Sequence, residues 1–206
     1  MKKGFFVTLE GSDGCGKSTQ SALLVKKLKK MGFDVVHTRE PGGTKVAESV
    51  RKILLDSKSK ISPLTELLLY EACRAQLTAE IILPAIESGK VVICDRYADA
   101  TVAYQGFGRE LDKKIIFKLN DIATSKLKPN LTIFLELDVK KGLARTCLRG
   151  KDRLERESFV FHKKVNYGYK WLAKQFPNRI KAVKADGTIE EIANKIFDIV
   201  VKKLWN

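Results

Sequence analysis

Residues 11–18 read Gly-Ser-Asp-Gly-Cys-Gly-Lys-Ser, which fits the spacing G-x-x-x-x-G-K-[ST] of a phosphate-binding loop. Glycines at those intervals let successive backbone N–H groups converge on phosphate oxygens. A helix that opens on the loop adds a favourable dipole for anions. Lys17 brings a cation to the β- and γ-phosphates of a nucleoside triphosphate, and Ser18 brings a hydroxyl ligand for Mg2+. Gly11, Ser12, Asp13, Gly14, Cys15, Gly16, Lys17, Ser18 and Thr19 are therefore the candidate ATP site. The metal needs a carboxylate as well. Val91–Asp95 is an apolar run ending in Asp95 with the cation Arg96 next, which makes Ser18 and Asp95 the favoured metal pair. The run from Leu131 to Asp138 has the same look and competes for that role.

These residues work only if particular elements place them. A short apolar run, 5–10, precedes the loop, and a helical pattern from Ser18 to Lys30 follows it, so the motif has the strand–loop–helix setting it requires. Further strands are expected at 34–38, 91–94, 131–137 and 180–185. Helices are expected at 46–55, from Ser62-Pro63 to about Leu83, at 111–126, 139–149, 159–175 and 189–204. Strands separated by crossover helices imply an α/β fold, a P-loop NTPase-type five-stranded parallel sheet flanked by helices. No Ser/Gly linker or internal repeat divides the chain, so one P-loop domain over 1–206 is expected, with the charged segment 149–157 as a short lid.

Composition narrows the class. The chain has 206 residues, a size typical of one domain, and 31% of them are charged. The apolar runs fall far short of a membrane span, and Glu10 and Asp13 interrupt the N-terminal one, so a cytoplasmic protein without membrane attachment is expected. Cys15, Cys73, Cys94 and Cys147 form no C-x-x-C pair and read as reduced thiols. Lys and Arg number 39 against 24 Asp and Glu, a net charge of +15. Much of the excess lies in scattered Lys-Lys pairs, which suit a solvated surface better than a nucleic-acid groove. The length leaves little room for a helicase, and the N-K-x-D base-reading motif of a small GTPase is missing from the sequence. A small-molecule or nucleotide kinase remains.

Five segments then make the chain resemble the thymidylate kinase (dTMP kinase) family: EGSDGCGKST from Glu10, TREPGGT from Thr38, DRY from Asp95, AYQG from Ala103 and DRLERES from Asp152. The resemblance implies ATP-dependent phosphorylation of dTMP to dTDP, with ATP as donor, Mg2+ as cofactor and a homodimer as the assembly. It implies that Asp13 meets the acceptor 3′-hydroxyl, that Arg39 and Arg96 grip the acceptor phosphate, and that Pro41 bends the loop toward it. Tyr70 would stack on thymine, Arg74 would bond its O4, and Thr101, Tyr104 and Gln105 would complete the pocket. The bulk of Tyr104 would disfavour a 2′-hydroxyl. The P-loop carries no Arg and the lid is basic, which implies the bacterial type with Arg153 as principal lid cation and Arg149 next. Asp152 and Glu155 match acidic positions at the base of the lid. Arg145 and the segment Asp186-Gly187-Thr188 match the adenine side. Cys15 stands where the family more often has Ala, Ala100 where many relatives have Ser, and Glu71 sits beside the base pocket with a helical direction expected to point it elsewhere. The alternatives are a kinase for another deoxynucleotide or nucleoside and, from a different class, a basic nucleic-acid-binding P-loop ATPase.

Overall fold

The computed structural model describes residues 4–146 and 152–205. Five parallel strands, β1 (Phe5–Glu10), β2 (Val35–Arg39), β3 (Val91–Asp95), β4 (Leu131–Glu136) and β5 (Ile180–Lys184), form one sheet in the order β2-β3-β1-β4-β5. Helices α1 (Lys17–Lys30), α2 (Lys45–Leu55), α6 (Lys113–Ala123), α7 (Val139–Thr146), α8 (Phe159–Gln175) and α9 (Ile189–Leu204) account for most of the crossovers. Between β2 and β3, α3 (Pro63–Leu77) runs through a π-helical turn, Thr78–Ile82, into α4 (Leu83–Glu87). After β3, α5 (Ala98–Thr101) widens into a second π-helical stretch, Val102–Gly108.

The inner strands read as continuous apolar runs because both faces of the sheet are covered. Val7 and Leu9 point to the face packed by Leu24 and Leu28 of α1 and Ile192, Ile196 and Val200 of α9. Phe6, between them in the period of two, points to the opposite face with Leu77, Ile82 and Tyr97. Side chains such as Leu28 and Val200 are fully buried, which is worth about 1.5–3 kcal/mol each relative to exposure.

Register places the chemistry. Leu9 lies opposite Asp95, and Arg39 lies opposite the same residue from the other side. The C-terminal ends of β1, β3 and β2 therefore open side by side, delivering the 11–18 loop, Asp95-Arg96 and Arg39-Glu40-Pro41 to one edge, where ligands bind in open α/β sheets.

Boundaries differ from the sequence reading where backbone geometry overrides pattern. The helix expected at 111–126 is shorter, because Asp112 caps its start and Ser125 and Lys126 adopt left-handed φ values of 50° and 63° beyond its end. The sequence reading placed no element at 98–108, which the structure makes helical through Gly106 and Gly108. Its π-helical hydrogen bonding, with Arg109 N–H donating to Tyr104 O at 2.9 Å, accommodates them.

One close approach locks α7 onto the phosphate loop. A Cβ on Gly14 would sit 2.1 Å from Gly142 O, and a Cβ on Gly142 would sit 2.5 Å from Asp13 O. Backbone meets backbone here, so no flexible side chain can give way. Gly142→Ala is expected to destabilise the fold by about 1–3 kcal/mol. Urea unfolding of the variant and the parent checks this, and equal midpoints would show that the loop and α7 are not in this contact.

Candidate active site

The phosphate loop is built from backbone. Gly14 and Gly16 hold φ values of 73° and 93°, which residues with a Cβ rarely adopt. Gly16 caps α1 without a side-chain hydrogen bond, and the first turn of α1 carries no acidic residue. Its N–H donors are thus free to meet an anion. Lys17 Nζ is held across the loop by Gly11 O at 3.1 Å and Ser12 O at 2.9 Å. Ser18 Oγ donates to Asp95 Oδ2 at 2.6 Å, so hydroxyl and carboxylate share one point at the end of β3. The competing carboxylate, Asp138, is used elsewhere: it caps α7 by accepting from Lys140 N–H at 2.9 Å.

Arg96 is the junction of the site. Its φ of 70° is left-handed, a conformation that turns the side chain back across the loop. One guanidinium nitrogen donates to Gly11 O at 2.8 Å and Tyr169 Oη at 3.1 Å. The other donates to Asp13 Oδ1 at 2.5 Å and Tyr104 Oη at 3.1 Å. Tyr104 Oη donates in turn to Asp13 Oδ2 at 2.7 Å. Behind this layer lies Glu10, which accepts from Tyr97 N–H at 2.6 Å and Tyr169 Oη at 3.0 Å. Burial, helped by the charge of Asp99, pushes the Glu10 carboxyl up to about 8. Burial also acts to raise Asp13, yet the charges of Arg96 and Lys17 and the Tyr104 hydroxyl outweigh it and hold Asp13 below its ordinary value.

A single cleft of about 640 Å³ joins these groups. The stretch Asp13–Gln20 and Asp95-Arg96 form its floor. Its lining takes in Arg39, Pro41, Tyr70, Ala100, Thr101, Tyr104 and Gln105 together with Arg145, Gly187, Ile189 and Ile192. The Glu40–Pro41 peptide is cis. Arg39 stands at the rim, its side chain 56% exposed and paired with Glu48 at 3.0 Å. Arg145 Nη1 donates to Gly14 O at 3.3 Å from the end of α7, directly above the loop. Asp152 and Glu155 also reach the cleft wall.

Two expected site residues, Arg74 and Arg153, are not among the residues that line the cleft. Arg74 does not share the cleft with Tyr70. It is 1% exposed and lines no part of the cleft, because protein acceptors surround its guanidinium: Glu40 Oε2, Glu71 Oε1, Thr101 Oγ1, Asn120 Oδ1 and Tyr97 O. Glu71 does not point away; it pairs with Arg74 at 2.8 Å. Arg153 does not face the phosphate loop either. Its Nη1 donates to Glu66 Oε2 at 2.5 Å and its Nε to Leu54 O at 2.9 Å, which ties the start of the 152–158 segment to α2 and α3. Arg149 lies outside the described residues. Two participants escaped the sequence reading. Arg51 lines the cleft and donates to Pro41 O at 2.6 Å. Its signal was a cation on the buried stripe Ala47, Arg51, Leu54 of an otherwise amphipathic helix. Glu66 is fully buried under Gln105, Arg109 and Arg153, and nothing in its helical pattern set it apart from a first-turn acid.

The ionised Asp13 has a measurable consequence. Its carboxyl is depressed below 3.8, so its contribution to stability is fully present above that pH and is lost as pH falls through the lower folded-state value. Asp13→Asn is therefore expected to cost stability near neutrality and progressively less in acid, read from urea unfolding across an acidic pH series. A deficit that stays constant down to the acid limit would contradict the ion pair.

Comparison with known proteins follows the same line. The family model described as thymidylate kinase matches residues 9–196. The chain is 50% identical over 196 residues to the thymidylate kinase of a Geobacter species, covering 91% of this chain and 87% of the relative. It is 46% identical over 202 residues to that of a Thermoanaerobacter species, covering 98% of this chain and 100% of the relative. The crystal structure of thymidylate kinase from Ehrlichia chaffeensis superposes with a TM-score of 0.81 at 32% identity, over 96% of this chain and 99% of that one. With identity of that degree sustained along almost its whole length, this chain belongs to the thymidylate kinase family.

Proposed function

We propose that this chain performs its family's reaction, transfer of the γ-phosphoryl group of ATP to dTMP, giving ADP and dTDP. The observation that carries the reading is the continuity of the cleft: one cavity runs from the phosphate loop to a pocket lined by Tyr70, Thr101, Tyr104 and Gln105, with Arg96 and Asp13 at the join. Donor and acceptor phosphates would then meet above the end of β3. In the transfer, an oxygen of the dTMP phosphate forms a bond to the γ-phosphorus while the bond to the β–γ bridging oxygen breaks, leaving the electron pair on ADP. Such a reaction asks the protein for alignment and charge neutralisation more than covalent chemistry.

Position supports each role. Lys17 and the N–H groups of the loop hold the donor phosphates. Arg39 and Arg96 grip the acceptor phosphate, and Arg51 supports Pro41 beside them. The ionised Asp13 receives the 3′-hydroxyl, Tyr104 flanks the sugar, Tyr70 stacks on the base and Gln105 meets its edge. Arg145 covers the donor side, while Gly187, Ile189 and Ile192 offer a largely apolar seat for adenine. Arg153, through Leu54 and Glu66, anchors the described part of the lid, 152–157.

Mg2+ fits the donor set. A serine hydroxyl and a carboxylate are hard oxygen ligands, and no cluster of three or more metal-ligating side chains occurs among the described residues. That is the pattern for an ion that takes one or two protein oxygens and completes its shell with phosphates and water. Ser18 and Asp95, the latter through water, would hold it, and it would neutralise charge on the β- and γ-phosphates.

The reading also takes 1–206 as one domain and the protein as cytoplasmic, working as a homodimer without membrane or nucleic-acid partners. Leu64 and Leu68 on α3 are 53% and 48% exposed, which supports a self-association face there. No described helix is long and apolar enough to cross a membrane.

A coupled assay of ADP release tests the proposal, using Mg-ATP with dTMP, dUMP, dCMP, dGMP, AMP and UMP in turn. Turnover with dTMP should stand well above the rest, and Lys17→Met should lower it by at least about 100-fold. Folded protein that shows no acceptor-dependent turnover would overturn the assignment.

A further inference from the structure

Glu10 lines no part of the cleft, yet it holds Arg96 from both ends. It is fully buried at the end of β1. Arg96 takes the left-handed φ of 70°, and β1 ties the peptides on either side of that turn. Arg96 N–H donates to Leu9 O at 3.0 Å, and Tyr97 N–H donates to Glu10 Oε1 at 2.6 Å. The other carboxyl oxygen, Oε2, shares a hydrogen bond of 3.0 Å with Tyr169 Oη. That hydroxyl in turn accepts from Arg96 Nη1 at 3.1 Å. Backbone and guanidinium of one arginine are thus both referred to one carboxyl group.

The cations around Glu10 are committed to other carboxylates. Arg96 pairs with Asp13, and Arg179 meets Asp99 with both Nη atoms, at 2.5 and 2.8 Å. Burial, with the charge of Asp99 beside it, pushes the Glu10 carboxyl up to about 8, so the group is neutral near pH 7. A neutral acid still accepts through its carbonyl and shares a proton with Tyr169, but it takes no charge from Arg96. The guanidinium is held in place while its charge stays available to Asp13 and to an incoming phosphate. We infer that Glu10 is a positioning residue for the acceptor phosphate: through Tyr97 N–H and Tyr169 it fixes the turn and the guanidinium of Arg96, and so strengthens the grip of that arginine. The inference rests on the acceptor role proposed above for Arg96. It adds that the grip is set one layer behind, by the hydrogen bonds of a side chain the ligand does not touch.

Calorimetric binding of dTMP and of thymidine, without ATP, separates this role from a structural one, because thymidine has the base and sugar and lacks the phosphate. Glu10→Leu removes both hydrogen bonds at similar size. It should weaken dTMP by at least about tenfold and leave thymidine within about threefold. Glu10→Gln keeps a carbonyl for Tyr97 N–H and an NH2 group for Tyr169 Oη, and should bind dTMP within about threefold of the parent. Three results overturn the proposal: Glu10→Leu binding dTMP as the parent does, Glu10→Leu weakening both ligands equally, or Glu10→Gln as weak as Glu10→Leu. Should Glu10→Leu give no cooperative thermal melt, Tyr169→Phe takes its place. It loses the hydroxyl between Glu10 and Arg96 and keeps the ring stacked on Phe134. The preference for dTMP should fall likewise, and a retained preference again overturns the proposal. Arg96→Gln tests the underlying reading. If it keeps the preference for dTMP over thymidine, the role of Arg96 falls and that of Glu10 with it; a preference lost there and kept in Glu10→Leu rejects Glu10 alone.

Discussion

The ion pair between Arg96 and Asp13 is the constraint on which the rest of the site depends. It crosses from the end of β3 to the loop after β1, and with the bond to Gly11 O it fixes the loop that must cradle phosphate. A pair this enclosed has to be fully hydrogen-bonded to be tolerated, since an uncompensated buried charge costs several kcal/mol. The structure meets that demand with Tyr104 and Tyr169, whose rings also pack in the core beneath. One arginine thus links sheet, loop, π-helical stretch and α8. The left-handed backbone at Arg96 is local strain held in place by those contacts.

Around that junction, the protein separates two kinds of positive charge. Cations facing the cleft, such as Arg39 and Arg145, sit at its rim or over the loop, where solvent and ligand can reach them. Cations behind it, Arg74 and Arg153, end on buried carboxylates. The second set shapes the wall of the cleft around Glu40 and Thr101. Arg74 links Glu40 of the loop before Pro41 to Thr101, and Arg153 brings the 152–158 segment down onto Glu66. Removing a partner from either set would have different effects: at the rim a change in ligand affinity, in the interior a collapse of pocket geometry.

Much of this was legible in the sequence, for physical reasons. The phosphate loop is a backbone device, so its glycines and its strand–loop–helix setting announce it. Parallel strands buried on both faces read as apolar runs, and β1, α8 and α9 fall where the pattern puts them. What sequence did not show was the destination of long side chains. The i, i+4 spacing of Tyr70 and Arg74 places both on one side of α3, but Glu40 and Glu71 draw the guanidinium inward. A basic segment beside a phosphate loop suggests a row of cations over ATP, and only the pairing with Glu66 shows that Arg153 is an anchor. The stretch 98–108 hid for another reason: π-helical turns depart from the 3.6-residue period that marks an α-helix, and Gly106 and Gly108 interrupt the pattern around Tyr104 and Gln105.

The dependence of the site on the Arg96–Asp13 pair is open to direct measurement by a double-mutant cycle. Asp13→Asn, Arg96→Gln and the double variant would be compared with the parent by kcat/KM for dTMP. If the two residues act as one unit, the double variant should be scarcely worse than either single one, giving a coupling energy above about 1 kcal/mol. Effects that add, with no coupling, would contradict the central place given to this pair.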